Sequence, residues 1–300
     1  MLARQRHRPR CVHIAPTLAS DFPPHNATHA NEKLATERVK HLGNGRSAAG
    51  HTQRRADMAR AFITTYLTRP KMERHPEKDW PVEFRKVDKL ARTVAPHGEL
   101  IIAADQLTMR HIPRELRSAV SIWPVTQPID NIYFERWDIV RDILTARTDI
   151  THAYACDARD VYVMSDPWGY MQPDTLYTCQ EPPGLPELRR WKGQPLGRSG
   201  FINDTSYHRS PVIQDFIRKH HLHTALNAGV AGGDRATMLR LATRLAQERH
   251  AEHVKGDYTD MALFNYLAYS EFNVIASEDY IGAKCHDETD APNAKVIHGR

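Results

Sequence analysis

The sequence predicts an α/β domain with a mixed, mainly parallel sheet covered by helices on both faces. Three observations carry this. Apolar runs without polar alternation, such as Glu99–Ala104 (ELIIAA), read as strands buried on both sides. Stretches with helical spacing separate several of them. The order from residue 59 onward is β, α, β, β, α, β, which suits a sheet layered between helices.

The elements follow in order. Residues 1–57 are rich in Arg, His, Asn, Pro and Gly, with a hint of helical pattern only over Asn31–Leu42. They read as a basic, disordered or loosely attached extension. They serve either as an arm for phosphate or an acidic partner or for nothing specific. Met58 opens MARAFITTYL, which makes it a candidate start of translation and residues 58–300 the expected domain. Ala61–Leu67 reads as the first strand. Pro81–Val94 follows as a helix with Val82, Val87, Leu90 and Val94 on one face, stopped by Pro96-His97-Gly98. Glu99–Ala104 is a strand ending at Asp105, and Val120–Val125 another. Asp130 is placed to cap a helix over Asn131–Arg147, whose Tyr133, Trp137, Val140 and Leu144 form a core-facing stripe.

Thr151–Tyr170 (THAYACDARDVYVMSDPWGY) holds the chief candidate site carboxylates. A buried strand ends at Cys156, Asp157 and Asp160 bracket Ala158 and Arg159, Val161–Val163 resumes a strand, and Asp166-Pro167 turns the chain. Carboxylates at the end of a buried strand are costly to desolvate without a positive partner. A hard divalent cation, which takes oxygen ligands, is one such partner. The alternative is a pair of ordinary turn carboxylates with Arg159 pairing one of them. In open α/β sheets ligands bind beyond the carboxyl ends of the strands. Thr64–Tyr66, Asp105 and Asp157/Asp160 all fall at such ends; Asp105 is also placed to cap a helix or turn.

From about residue 171 to 205 the chain is rich in Pro and Gly and reads as an irregular insertion. Pro211–His221 reads as a short helix, with His220, His221 and His223 as surface or core histidines. Thr224–Val230 reads as a strand leading into an Ala231-Gly232-Gly233 turn and a helix over Arg235–His250 capped by Asp234. That arrangement is either an anion site at a helix N-terminus or a place where small residues permit close packing. Asp260 opens a helix in GDYTDMALFNYLAY, and Val296-Ile297 is a last short strand.

The net charge is +5, but residues 1–57 hold ten Lys and Arg against four Asp and Glu. The remaining residues therefore sum to −1, so the expected domain is not charged as a nucleic-acid binder. No apolar run approaches a membrane span. The four cysteines, Cys11, Cys156, Cys179 and Cys285, form no CxxC pair, which argues against a zinc site or a disulfide framework and points to the cytoplasm.

Four separated features together resemble the GT-A fold, nucleotide-sugar-dependent glycosyltransferases, in particular the retaining group that includes glycogenin and bacterial galactosyltransferases. CDARDVYV, with Asp157 and Asp160, is similar to that group's Asp-x-Asp motif. Asn227–Val230 matches its Asn-Ala-Gly-Val segment, and Asp260 to Asn265 its Asp-to-Asn helix start. His298-Gly299 partly matches its late His-x-x-Gly, and Arg136 in YFERW its YxR arginine. Two residues separate the carboxylates here where the usual motif has one. The sequence stops at Arg300 before the Lys-Pro-Trp that often follows.

The resemblance implies a Rossmann-like GT-A domain that transfers a hexose from a nucleotide diphosphate sugar, expected to be a UDP-sugar. The acceptor would be an unidentified glycan, protein or modified nucleic acid. It implies Mn²⁺ or Mg²⁺ held by Asp157, Asp160 and His298. It places Thr64, Thr65, Tyr66 and Asp105 at the base and ribose, and Arg136 and Arg159 as fixed positive charge near the phosphates. Asn227 and Gly229 would face the donor sugar and metal. Asp260 would have a supporting role near the anomeric centre, or would serve only as a helix N-cap. Two rivals stand beside this. One is a metal-dependent nucleotidyltransferase, disfavoured by the absence of glycine in Thr68-Arg69-Pro70-Lys71. The other is a non-catalytic transferase fold that binds a polyanion or nucleic acid.

Overall fold

The computed structural model describes residues 59–67, 84–126, 131–181, 195–199, 202, 210–250, 260–285 and 292–299. The expectations for residues 1–57, Val82 and Asp130, and the Thr68–Lys71 segment, lie outside these. The described chain is α/β, with a seven-stranded, mostly parallel central sheet, an arrangement in keeping with a Rossmann-like fold.

The first strands run β1 (Ala59–Tyr66), β2 (Glu99–Asp105), β3 (Ser121–Val125) and β4 (Ile150–Cys156). β1 lies between β2 and β4 and is parallel to both, and β2 is parallel to β3. The chain thus steps outward from β1 to β3 and then returns to the other side of β1. The switch point, where ligands bind in open α/β sheets, falls between the carboxyl ends of β1 and β4. Beyond β4 lie β7 (Leu226–Asp234), β6 (Thr175–Gln180) and β8 (Asn273–Ala276). β7 runs antiparallel to both neighbours, and β6 and β8 are parallel.

Side chains alternate between two cores. Ala61, Ile63, Ile101, Ala103, Ala153 and Ala155 face one; Phe62, Leu100, Ile102, Ala104, Tyr154 and Cys156 face the other. The first core is closed by helices α4 (Ile132–Ala146), α5 (Pro211–Lys219), α6 (Arg235–His250) and α7 (Met261–Glu271). Trp137, Val140 and Leu144 of the expected stripe are buried there, with Met238, Leu241 and Leu245 of α6. The second core is closed by α1 (Phe84–Val94) and a small sheet of β5 (Val161–Val163), β10 (Val296–Gly299) and β9 (Ile281–Cys285). Val87, Leu90 and Val94 of α1 are fully buried, as their spacing predicts.

Several expectations are corrected. Asn131, not a residue before it, caps α4, its side chain accepting from the Tyr133 amide at 3.0 Å. Two short helices, α2 (Gln106–His111) and α3 (Arg114–Ala119), stand between β2 and β3. β6 lies within the segment read as irregular. Ala231-Gly232-Gly233 is not a turn but part of β7, paired with β4. No phosphate-cradling turn therefore forms there. A Cβ on Gly232 would sit 2.3 Å from Tyr154 Cε1, so this glycine makes room for a ring. Packing explains it, and the anion-site expectation is withdrawn. Asp234 does cap α6 through the Thr237 amide at 2.8 Å.

Candidate functional site

Asp157 is the first residue after β4, at the switch point. Asp160 follows three residues later, before β5. His298 arrives on β10, which is antiparallel to β5 with His298 opposite Val161. The turn and the strand are also tied by the Gly299 amide, which donates to the Asp160 carbonyl at 2.5 Å. His298 Nε2 stands 3.4 Å from Asp157 Oδ2 and 3.6 Å from Asp160 Oδ2. One ligand atom from each of the three lies within 4.8 Å of the others, the one such cluster among the described residues.

The donor set fits a divalent cation. The two carboxylate oxygens suit a hard ion such as Mn²⁺ or Mg²⁺, and the imidazole nitrogen favours the transition metal Mn²⁺ of the two. Asp160 Oδ1 is buried without a hydrogen-bond partner. Burial would lower the His298 imidazole, but Asp157, Asp160 and Cys179 hold it well above its ordinary value. For Asp157, burial is outweighed by His298 and Arg136, and the carboxyl lies below its usual range. A proton on His298 and a divalent cation are thus alternative positive partners for the same two carboxylates.

β7 is shaped around this cluster. It pairs with β6 through Thr178 opposite Ala231 and then Cys179 opposite Asn227. Ala228, Gly229 and Val230 therefore bulge, a device that re-aims side chains beside sites. Thr178 holds the bulge closed, its buried hydroxyl lying 2.8 Å from the Asn227 carbonyl and 3.0 Å from that of Val230. The Gly229 carbonyl accepts from the Asp157 amide at 2.8 Å. A Cβ on Gly229 would lie 2.3 Å from His298 Cε1, 2.7 Å from Asp157 Oδ2 and 2.9 Å from Asn227 Oδ1. Only glycine lets these three side chains converge. Asn227 Oδ1 accepts from the Gly229 amide, and its Nδ2 donates to the buried carboxylate of Glu181.

Behind the cluster lies Arg136 on α4. Its Nη1 donates to Asp157 Oδ1 at 2.7 Å, and its Nη2 to the Ala228 carbonyl at 2.8 Å. Nε and Nη2 both reach Asp260 Oδ2, at 3.1 and 2.6 Å, and the Trp137 indole N–H reaches the same oxygen at 2.5 Å. Asp260 is 1 % exposed. Burial pushes its carboxyl up, with Arg136 and Trp137 opposing. It precedes α7, but its side chain makes no capping bond. The N-cap alternative is overturned: Asp260 serves Arg136 and Trp137 instead. Among the described residues it reaches the Asp157–Asp160–His298 cluster only through Arg136, which makes it a positioning residue.

The remaining expected residues are less central. Asp105 is a helix cap, its Oδ1 accepting from the Thr108 amide at 2.6 Å. Thr64 lies opposite Cys156 in the β1–β4 pairing, with its hydroxyl buried and unpartnered. Tyr66 is buried against Phe84, and Thr65 lines a small cavity with Arg136 and Cys156. Arg159 is partly buried in the turn, and the cation on Asp157 is Arg136. Thr178, Glu181 and Trp137 were not singled out as site residues from sequence. No short motif marks them, since their partners come from distant strands and helices.

No family model matches the chain, and no curated protein matches it. Among the described residues no helix is long and apolar enough to cross a membrane.

Proposed function

We propose that the protein is a metal-dependent glycosyltransferase of GT-A type that transfers a hexose from a nucleotide diphosphate sugar, most simply a UDP-sugar. The observation that carries this is the Asp157–Asp160–His298 cluster at the switch point of a mostly parallel sheet. Its residues would hold Mn²⁺ or Mg²⁺. Such a cation, when bound, neutralises the charge that grows on a leaving diphosphate. Arg136 keeps Asp157 Oδ1 occupied, so that Oδ2 faces the cluster, and adds fixed positive charge beneath it. Arg159 adds charge at the turn. Thr64, Thr65, Tyr66 and Asp105 lie at the adjoining ends of β1 and β2, where the base and ribose are assigned. Asn227 and Gly229 form the floor assigned to the sugar. Asp260 acts through Arg136.

The acceptor is a hydroxyl-bearing glycan, protein or modified nucleic acid. We place the reaction in the cytoplasm, in keeping with the unpaired thiols of Cys156 and Cys179. Calorimetry with UDP-glucose and UDP-galactose, in Mn²⁺ and in EDTA, tests the reading. Binding that needs the cation and is lost in Asp160→Ala supports it. Equal binding in EDTA, or none in either, removes it.

A further inference from the structure

Arg136 and Trp137 are neighbours on α4, and both reach one oxygen. The Trp137 indole N–H and two N–H groups of Arg136 converge on Asp260 Oδ2. Such convergence fixes the guanidinium in rotation as well as position. With Nε and Nη2 held by Asp260 and Nη2 also by the Ala228 carbonyl, Nη1 is left aimed at Asp157 Oδ1. The other oxygen of that carboxylate faces His298. A continuous polar chain therefore runs Trp137, Asp260, Arg136, Asp157, and ends at the cation cluster.

Trp137 is 1 % exposed and stacks on Phe264 with ring centroids 6.0 Å apart, so its ring orientation is set by packing. A phenylalanine ring would pack against Phe264 as well, but it carries no N–H. The indole N–H is what couples that rigid core to the acid. A buried carboxylate with a further donor holds its charge and its orientation better than one with fewer.

We propose that Trp137 is a positioning residue, whose N–H on Asp260 locks Arg136 onto Asp157 and so shapes the cation cluster. Its effect on the cation rests on the metal-binding reading; its effect on Arg136 does not. Groups that orient metal ligands from outside typically change metal affinity about 10–100-fold when lost.

The experiment compares wild type with Trp137→Phe, and with Trp137 replaced by 3-benzothienylalanine, which keeps the bicyclic shape and exchanges the N–H donor for a sulfur. Phe264→Leu serves as the control, since it disturbs the same packing and leaves the N–H in place. Two quantities are measured. One is the Mn²⁺ dissociation constant, from the electron paramagnetic resonance signal of free ion. The other is hydrogen exchange of the Arg136 Nε–H by nuclear magnetic resonance in metal-free protein. We expect both position-137 variants to bind Mn²⁺ about tenfold more weakly or worse, with faster Arg136 exchange. Phe264→Leu is expected to lower stability and leave both readouts near wild type. Should 3-benzothienylalanine leave both readouts unchanged, or Phe264→Leu reproduce its losses, the proposal is overturned and Trp137 is a packing residue. If wild type binds no Mn²⁺, the metal reading fails separately, and faster Arg136 exchange in the variants still supports the lock.

Discussion

The guanidinium of Arg136 donates from Nη1 to Oδ1 of Asp157 at 2.7 Å and leaves the second oxygen of that carboxylate facing His298. One acid is thereby divided between a fixed internal cation and the site proposed to hold an exchangeable one. Buried ion pairs of this kind contribute little net stability when intact and cost heavily when half is removed.

Arg136→Met should therefore destabilise the protein by about 3–5 kcal/mol, because Asp260 stays buried with its main partner gone. The double variant Arg136→Met/Asp260→Leu should recover part of that loss. Urea unfolding of the three proteins checks this. A double variant less stable than Arg136→Met would show that Asp260 has another essential partner.

Mn²⁺ should stabilise the wild-type protein against heat. Binding linkage gives about 2.7 kcal/mol at a free concentration 100 times the dissociation constant. His298→Ala and Asp160→Ala should abolish the Mn²⁺-dependent rise in Tm, and EDTA should reverse it in wild type. A rise of the same size in both variants would place the ion elsewhere.

Gly229→Ala puts a methyl group 2.3 Å from the His298 ring and 2.7 Å from Asp157 Oδ2. Both groups must move, and overpacking of this kind costs about 1–3 kcal/mol. Thermal melts should show a folded protein that Mn²⁺ no longer stabilises. Retained Mn²⁺ stabilisation would mean that His298 can swing aside without losing the ion.

At the opposite end of the sheet Arg147 pairs with Glu99 at 2.9 Å and with Asp149 at 2.7 Å. Burial would raise Glu99, but Arg147 and Ser121 hold it below its usual 4.5. Asp149 lies below 3.8, chiefly through the Arg147 hydrogen bond. A depressed carboxyl contributes stability that is present above its ordinary value and lost as pH falls through the folded value. Wild type should thus lose more stability than Arg147→Ala between about pH 5 and pH 2. Urea midpoints across that range decide it; parallel curves would assign the acid sensitivity to other carboxyls.

Much of the first half of the fold was legible because its strands are continuous apolar runs and α1 carries its apolar residues on one helical face. Asp157 and Asp160 stood out because charge at the end of a buried strand is conspicuous. Of the later strands, β7 and β10 were read in part, whereas β6, β8 and β9 were not. β6 is buried along nearly its whole length and follows a proline, so it offers no alternation to read. Gly232 and Gly233 look like a turn, yet a ring from β4 fills the space beside Gly232 and the Thr175 carbonyl that beside Gly233. The role of Asp260 was invisible for another reason. A carboxylate before a helix ordinarily caps it, and only tertiary packing brings Arg136 and Trp137 to its side chain instead.

The most direct test of the central claim is donor cleavage. The purified protein is incubated with a panel of UDP- and GDP-sugars, with Mn²⁺ or EDTA, and release of nucleoside diphosphate is followed. Release is expected from one or a few donors, and it should need the cation and disappear in Asp157→Asn. Release that persists in EDTA or in Asp157→Asn, or none from any donor, would contradict it.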